Sequence, residues 1–227
     1  MSIQAGQKIA ICGPSGSGKT SLILTLLRMI PLRAGTITID DLDLTAYAAS
    51  QIRPRLNIVT QDPLLLPGSA GQGTTVRFNI DPFGSAADDA TIIAALERLG
   101  LWTIIAADGG LDAEMKATAW SAGQRQLLCL ARAMVRGSAG LKVLILDEAT
   151  SSVDPDTEAI IQNVLDTEFQ DHTVLSVLHR LRYVGWYDRV AVLEGGVLVE
   201  FDKPDVLLAG EESKFARLYS SSGVGGH

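Results

Sequence analysis

The sequence predicts an α/β fold: a mainly parallel central sheet flanked by helices, an inserted helical subdomain, and a C-terminal β-hairpin. Three observations carry this. The strand-like run Lys8 to Cys12 leads through a glycine-rich loop into a helical pattern. A second run, Val143 to Leu146, is apolar throughout, as a central parallel strand reads, and it ends in Asp147 and Glu148. Between them, the stretch from about Val76 to Ala119 carries helical patterns and little strand signal.

The loop Gly13-Pro14-Ser15-Gly16-Ser17-Gly18-Lys19-Thr20 fits G-x-x-x-x-G-K-[ST] without a mismatch. Its glycines let the backbone wrap a phosphate and turn several N–H groups inward. Lys19 supplies a cation for the outer phosphates, Thr20 a hydroxyl for Mg²⁺, and the following helix the positive end of its dipole. A helix is expected from Ser21 to Ile30, with Leu22, Ile23, Leu26, Leu27 and Ile30 on one face and Pro31 ending it. A glycine-rich run alone is only a flexible turn. Its strand-loop-helix setting makes this one a nucleoside triphosphate site.

At 227 residues the chain can bury a full core, as one α/β domain or as one domain with a helical insertion. Hydrophobic residues make up 47%, yet no apolar run approaches the roughly 18 residues of a membrane span. No signal-peptide succession opens the chain, so a cytosolic location is the default. The net charge of −7, with scattered basic residues, argues against a broad nucleic-acid surface. Cys12 and Cys129 sit in apolar stretches without metal-like spacing and read as buried packing residues.

In chain order, Gly35 to Asp40 alternates as a half-exposed strand does, Ala46 to Ile52 suits a short helix, and Leu56 to Thr60 another strand ending at Gln61. A polar side chain at a strand's carboxyl end is placed to face a ligand. Pro67 to Thr75 is a Gly, Ser and Thr-rich surface loop, and Asp88 to Leu99 is helical. Ser121 then opens a long helical pattern. Its hydroxyl and the helix N-terminus make either an anion site or an ordinary capping box with Gln124, and alone the residues favour the cap. Asp147 suits the Mg²⁺ shell, and Glu148 suits orientation or deprotonation of a water. After a turn at Ser151 to Pro155, a helix is expected over Thr157 to Leu165 and a strand over Thr173 to Leu178, with His179 at its end. A lone histidine is usually structural; here it stands where it can bond a phosphate or water. Arg189 to Leu193 and Val197 to Phe201 form a hairpin around Gly195-Gly196, Val206 to Tyr219 is helical at least in part, and Ser220 to His227 frays.

The order of these pieces resembles the nucleotide-binding domain of ABC transporters over nearly the whole chain. Gly13 to Thr20 matches that family's Walker A, Gln61 its Q-loop, and Ser121-Ala122-Gly123-Gln124 its signature. Val143 to Asp147 matches Walker B, Glu148 the adjacent catalytic glutamate, Ser152-Val153-Asp154 the D-loop, and His179 the switch histidine. Phe78 to Phe83, Gly123 to Arg132 and Asp147 to Asp154 are similar to the second nucleotide-binding domain of C-subfamily, multidrug-resistance-associated exporters.

The resemblance implies a P-loop NTPase fold across residues 1–227, with a RecA-like core over 1–66 and 141–227 and a helical subdomain over about 76–140. It implies catalytic roles for Glu148, His179, Lys19 and Gln61. ATP contacts would come from Gly13, Pro14, Ser15, Gly16, Ser17, Gly18, Lys19, Thr20, Ser21, Gln61, Ser121, Ala122, Gly123, Gln124 and Asp154, and Mg²⁺ contacts from Thr20, Gln61 and Asp147. The implied activity is ATP hydrolysis driving export. The implied partners are a second nucleotide-binding domain, paired head to tail, and transmembrane domains, at the cytoplasmic face of a membrane and without nucleic acid.

Three departures from the family pattern stand out. Trp120 and Ala122 replace a leucine and a glycine of the signature, and the Ala122 methyl narrows the approach to a phosphate. Gly68 to Thr75 is longer than the usual continuation of the Q-loop. Met1 to Cys12 has no aromatic residue and too few residues for the family's adenine-stacking hairpin, so a fragment with weak isolated ATP affinity is expected. Two other readings stay open: a non-catalytic nucleotide- or partner-binding fragment, and a soluble ABC ATPase acting on DNA or ribosomes. Acidity and the exporter-like wording at Phe78 to Phe83 weigh against the last.

Overall fold

The computed structural model describes residues 1–67, 74–84, 88–115 and 119–222. The expected insertion at 68–75 and the terminal 223–227 fall wholly or mainly outside the described residues. The chain forms two compact units, one of residues 1–57, 143–148 and 172 onward, the other of 58–142 and 149–171.

In the first unit, β1 (Lys8–Cys12) lies between β6 (Thr173–Val177) and β7 (Arg189–Glu194), parallel to both. β5 (Val143–Asp147) adds in parallel to β6, and β8 (Val197–Asp202) pairs antiparallel with β7. The apolar runs explain the central places: Ile9, Ala10, Ile11, Leu144, Ile145 and Val174 are fully buried, as strands covered on both faces require. The register sets Ile11 and Asp147 beside Val177, so the carboxyl ends of β5, β6 and β1 lie side by side. In open α/β sheets that edge is where ligands bind.

α1 (Lys19–Leu26) follows β1 after the six-residue loop 13–18, starting two residues earlier and ending four residues sooner than expected. The expected helix over Ser21 to Ile30 is therefore corrected at both ends. Arg28 takes φ 55 and its guanidinium bonds Leu44 O, while the N–H groups of Met29 and Ile30 fold back to Leu24 O at 2.8 and 3.3 Å. This left-handed cap stops the helix and leaves Ile30 exposed. The Gly35 to Asp40 strand shrinks to β2 (Thr38–Ile39), paired with β3 (Leu42–Asp43). Asp40 and Asp41 turn between them at φ 49 and 63, a conformation aspartate tolerates. The Ala46 to Ile52 helix divides into a 3₁₀ turn, Leu44–Ala46, and α2 (Ala49–Ile52). β4 (Asn57–Val59) leads into the second unit.

That unit is helical: α3 (Val76–Ile80), α4 (Asp89–Arg98), α5 (Trp102–Ala107), α6 (Ala122–Ser138) and α7 (Pro155–Glu168). α7 runs beyond the expected Thr157 to Leu165 because Asp154 caps it and Pro155 opens it. Leu96, Leu128, Leu130 and Phe169 are buried core residues. Arg132 of α6 donates to Asn79 O at 2.6 Å, and buried Asn79 accepts Leu66 N–H at 2.7 Å, so residues before α3 are laced to α6. At the C-terminal end of the first unit, the partly helical stretch expected over Val206 to Tyr219 forms two helices, α8 (Pro204–Ala209) and α9 (Lys214–Ser221), separated at Gly210 and restarted by the Ser213 cap, and Ser220 and Ser221, expected to fray, still belong to α9.

Candidate functional site

The site residues fall into two groups, one in each unit. In the first, the loop from Gly13 to Gly18 joins β1 to α1, with Gly18 at φ 101 as the helix N-cap. Gly13 has no room for a side chain: a Cβ there would stand 2.1 Å from Leu193 O and 2.8 Å from Ser17 Oγ. Pro14, Ser15, Gly16, Thr20 and Ser21 are exposed, whereas Lys19 is only 6% exposed. The Lys19 ammonium curls under the loop and donates to Gly13 O at 2.9 Å and Pro14 O at 3.1 Å.

Beside this loop, β5 ends at Asp147 and β6 leads through Leu178 to His179. Glu148 takes φ 53, a strained conformation for a residue with a long side chain, and its N–H donates to Val177 O at 3.3 Å. Its Oε1 lies 2.7 Å from His179 Nε2. Burial, reinforced by the Glu148 charge, pushes the Asp147 carboxyl above its ordinary range, against the pull of Lys19 and His179. Cys12, at the end of β1, is buried and its thiol is pushed up to about 12, chiefly by desolvation, as a packing residue requires.

In the second unit, Gln61 is exposed just beyond β4, and the carbonyl of Thr60 before it accepts from buried Gln126 Nε2 at 3.1 Å. Ser121 and Gln124 form the capping box: Gln124 N–H donates to Ser121 Oγ at 3.1 Å and Ser121 N–H to Gln124 Oε1 at 3.0 Å. Ala122 is exposed and Gly123 buried. Asp154 caps α7, accepting Thr157 N–H at 2.9 Å and Thr157 Oγ1–H at 2.7 Å, bonds that hold its carboxyl below the ordinary range. A Cβ on Gly123 would meet Thr157 Oγ1 at 2.8 Å and Asp154 Oδ2 at 3.3 Å, so the two capped helix N-termini pack directly together.

Thr157 and the β7–β8 turn touch these groups, Thr157 through Asp154 and Gly123 and the turn through Gly13 and Ser17, and motif reading did not single them out. Thr157, three residues after Asp154, has the spacing of a capping partner, a signal visible in the sequence. The approach of Leu193 O to Gly13 has no local signal.

A triphosphate suits the first group. The loop combines an exposed backbone tip, a helix N-terminus and a buried cation, and Ser17, 2% exposed, has an Oγ without a hydrogen-bond partner among the described residues. Among the same residues no cluster of three or more His, Cys, Asp or Glu side chains could cage a metal. Mg²⁺ held by one or two protein oxygens, substrate phosphates and water is compatible with that donor set.

A family model described as "ABC transporter" matches residues 1–151. "ABC multidrug transporter B" of Aspergillus fumigatus is 48% identical over 222 residues, 98% of this chain and 14% of that protein. "ATP-binding cassette sub-family C member 8" of Cricetus cricetus is 44% identical over 217 residues, 94% of this chain and 13% of that protein. A solved structure described as "Structure of a bacterial Atm1-family ABC exporter with ATP bound" has a TM-score of 0.83 at 29% identity, covering 96% of this chain and 37% of that one. The chain thus spans 13% to 14% of the length of these curated relatives.

Proposed function

Because the chain belongs to the ABC transporter family, we propose that it is an ATP-hydrolysing domain of a membrane exporter, working head to tail with a second nucleotide-binding domain. Domains of this family generally bind ATP with Mg²⁺ and hydrolyse it. The observation that carries the finer reading is the Glu148–His179 pair, set at the carboxyl ends of β5 and β6 beside the phosphate loop.

In this mechanism the loop N–H groups and Lys19 bind the phosphates, with Lys19 exchanging its carbonyl partners for phosphate oxygens. Bound Mg²⁺ would neutralise phosphate charge, with Thr20 and Asp147 to hold it. Glu148 accepts the proton of the attacking water on a carboxylate oxygen, and His179 Nε2 holds that carboxylate in place. Ser121, Ala122, Gly123 and Gln124 present the capped N-terminus of α6 to the nucleotide of the paired domain, and Asp154 stands beside it as the cap of α7. Coupling to transport would run through transmembrane domains, a reading that the exporter relatives support; no helix among the described residues is itself long and apolar enough to cross a membrane.

The test is Mg²⁺-ATP binding and phosphate release by the purified chain, alone and mixed with a matching first nucleotide-binding domain. Binding by the chain and a rise in release on mixing are expected. Binding without release under either condition would favour a non-catalytic module, and no binding at millimolar ATP would contradict the proposal.

A further inference from the structure

The diglycine of the β7–β8 turn has no part in the chemistry above, yet it lies against the phosphate loop. Gly196 N–H donates to Ser17 O at 3.0 Å. A Cβ on Gly18 would touch Gly196 Cα at 3.5 Å. The register shift between Val192 and Leu193 falls next to the carbonyl that closes on Gly13. The loop's first glycine, its buried serine and its last glycine therefore all rest on residues 193–196.

The turn is itself anchored on its far side. Glu194 pairs with Lys214, and Glu200 of β8 accepts the N–H groups of Lys214 at 2.7 Å and Phe215 at 2.9 Å. Phe215 is fully buried, so the hairpin is tied to α9 at a core position. The loop tip, Pro14 to Gly16, is exposed, and its Pro14 carbonyl accepts from within the motif, from Lys19 Nζ and Ser17 N–H.

We propose that the end of the β7–β8 hairpin is a positioning element for the phosphate loop, with Gly196 its positioning residue. The Ser17–Gly18 peptide is planar and trans, so its C=O and N–H point in opposite directions. Holding Ser17 O on Gly196 N–H aims Gly18 N–H away from the turn. On the nucleotide-binding reading above, on which this inference rests, that N–H is one of those offered to a phosphate oxygen. The turn thus sets the direction of a donor it never shares with the ligand.

The experiment compares the full chain with Gly196→Val and Gly196→Asn. Gly196 has φ 82, which a β-branched residue resists and asparagine tolerates. Valine should rearrange the turn and release Ser17 O; asparagine should keep both the turn and its N–H. Hydrogen exchange at the Ser17 to Lys19 amides, without nucleotide, should quicken in Gly196→Val alone. Mg²⁺-ATP affinity should fall about tenfold in that variant and stay unchanged in Gly196→Asn, the scale of one oriented hydrogen bond. Should the valine variant fail to fold, Gly196→Ala applies a milder strain at the same φ. Unchanged loop exchange in a folded Val or Ala variant, or equal loss in the Asn variant, would overturn the proposal. A wild-type chain that binds no nucleotide would count against the proposed function alone, because the exchange comparison still decides whether the turn holds the loop.

Discussion

Glu148 Oε1 and His179 Nε2 lie 2.7 Å apart, so the carboxylate that follows β5 and the imidazole that follows β6 act as one hydrogen-bonded pair. Removing the imidazole should release the carboxylate and cut turnover about a hundredfold, the scale of a misplaced catalytic group. In an assembled transporter, His179→Ala combined with Glu148→Gln should be no slower than the worse single variant. Multiplicative losses in phosphate release would show that the two residues act separately.

Lys19→Met tests the buried cation. Methionine approximates the side chain's volume, so the thermal midpoint should move little. Nucleotide affinity should fall roughly ten- to hundredfold, the range for hydrogen bonds to a charged group. Equal binding by the variant in a fluorescent-nucleotide titration would remove Lys19 from the phosphate site.

Asp147 gives a pH signature. Its carboxyl is raised by burial and by Glu148, so the folded chain binds that proton more tightly than the unfolded one. Its contribution to stability is complete below the ordinary carboxylate range and is lost as pH rises through the raised folded value. In chelator-containing buffer, Asp147→Asn should therefore lose less stability than wild type across that acidic window, measured by urea unfolding at a series of pH values. Identical pH profiles would contradict the assignment. The same variant should lose the Mg²⁺ dependence of nucleotide binding.

Gly123 and Thr157 should be energetically coupled. The methyl of Gly123→Ala would press on Thr157 Oγ1, which is held by Asp154, and overpacking of this kind costs about 1–3 kcal/mol. Thr157→Ala removes two of the three nearest atoms, Oγ1 and Cγ2, and leaves Asp154 Oδ2 at 3.3 Å, so the double variant should recover part of the stability lost in Gly123→Ala. Denaturant unfolding of the four chains gives the coupling, expected at about 0.5–3 kcal/mol for touching residues. Additive effects would mean that the two helix starts do not press together.

The parts legible in the sequence are those fixed by local chemistry. The spacing of Gly13, Gly18 and Lys19 specifies the loop, and Ser121 with Gln124 specifies a cap that needs no distant partner. Residues whose conformation depends on a remote group could not be read. α1 stops early because Arg28 reaches the carbonyl of Leu44, and hydrophobic periodicity through Ile30 carries no trace of that bond. Likewise the sequence marks Gly195-Gly196 as a turn, while the contact of Gly196 with Ser17 follows from the register of β7 on β1. The burial of Gly123 against Thr157 is another contact made by tertiary packing, although each residue belongs to a recognisable helix start.

The most direct test of the account is steady-state phosphate release from Mg²⁺-ATP by a reconstituted full-length transporter carrying this domain, with and without Glu148→Gln. If Glu148 is the general base, turnover at this site should fall by about 10²- to 10⁴-fold while ATP binding persists. Undiminished turnover in the variant would contradict the central claim.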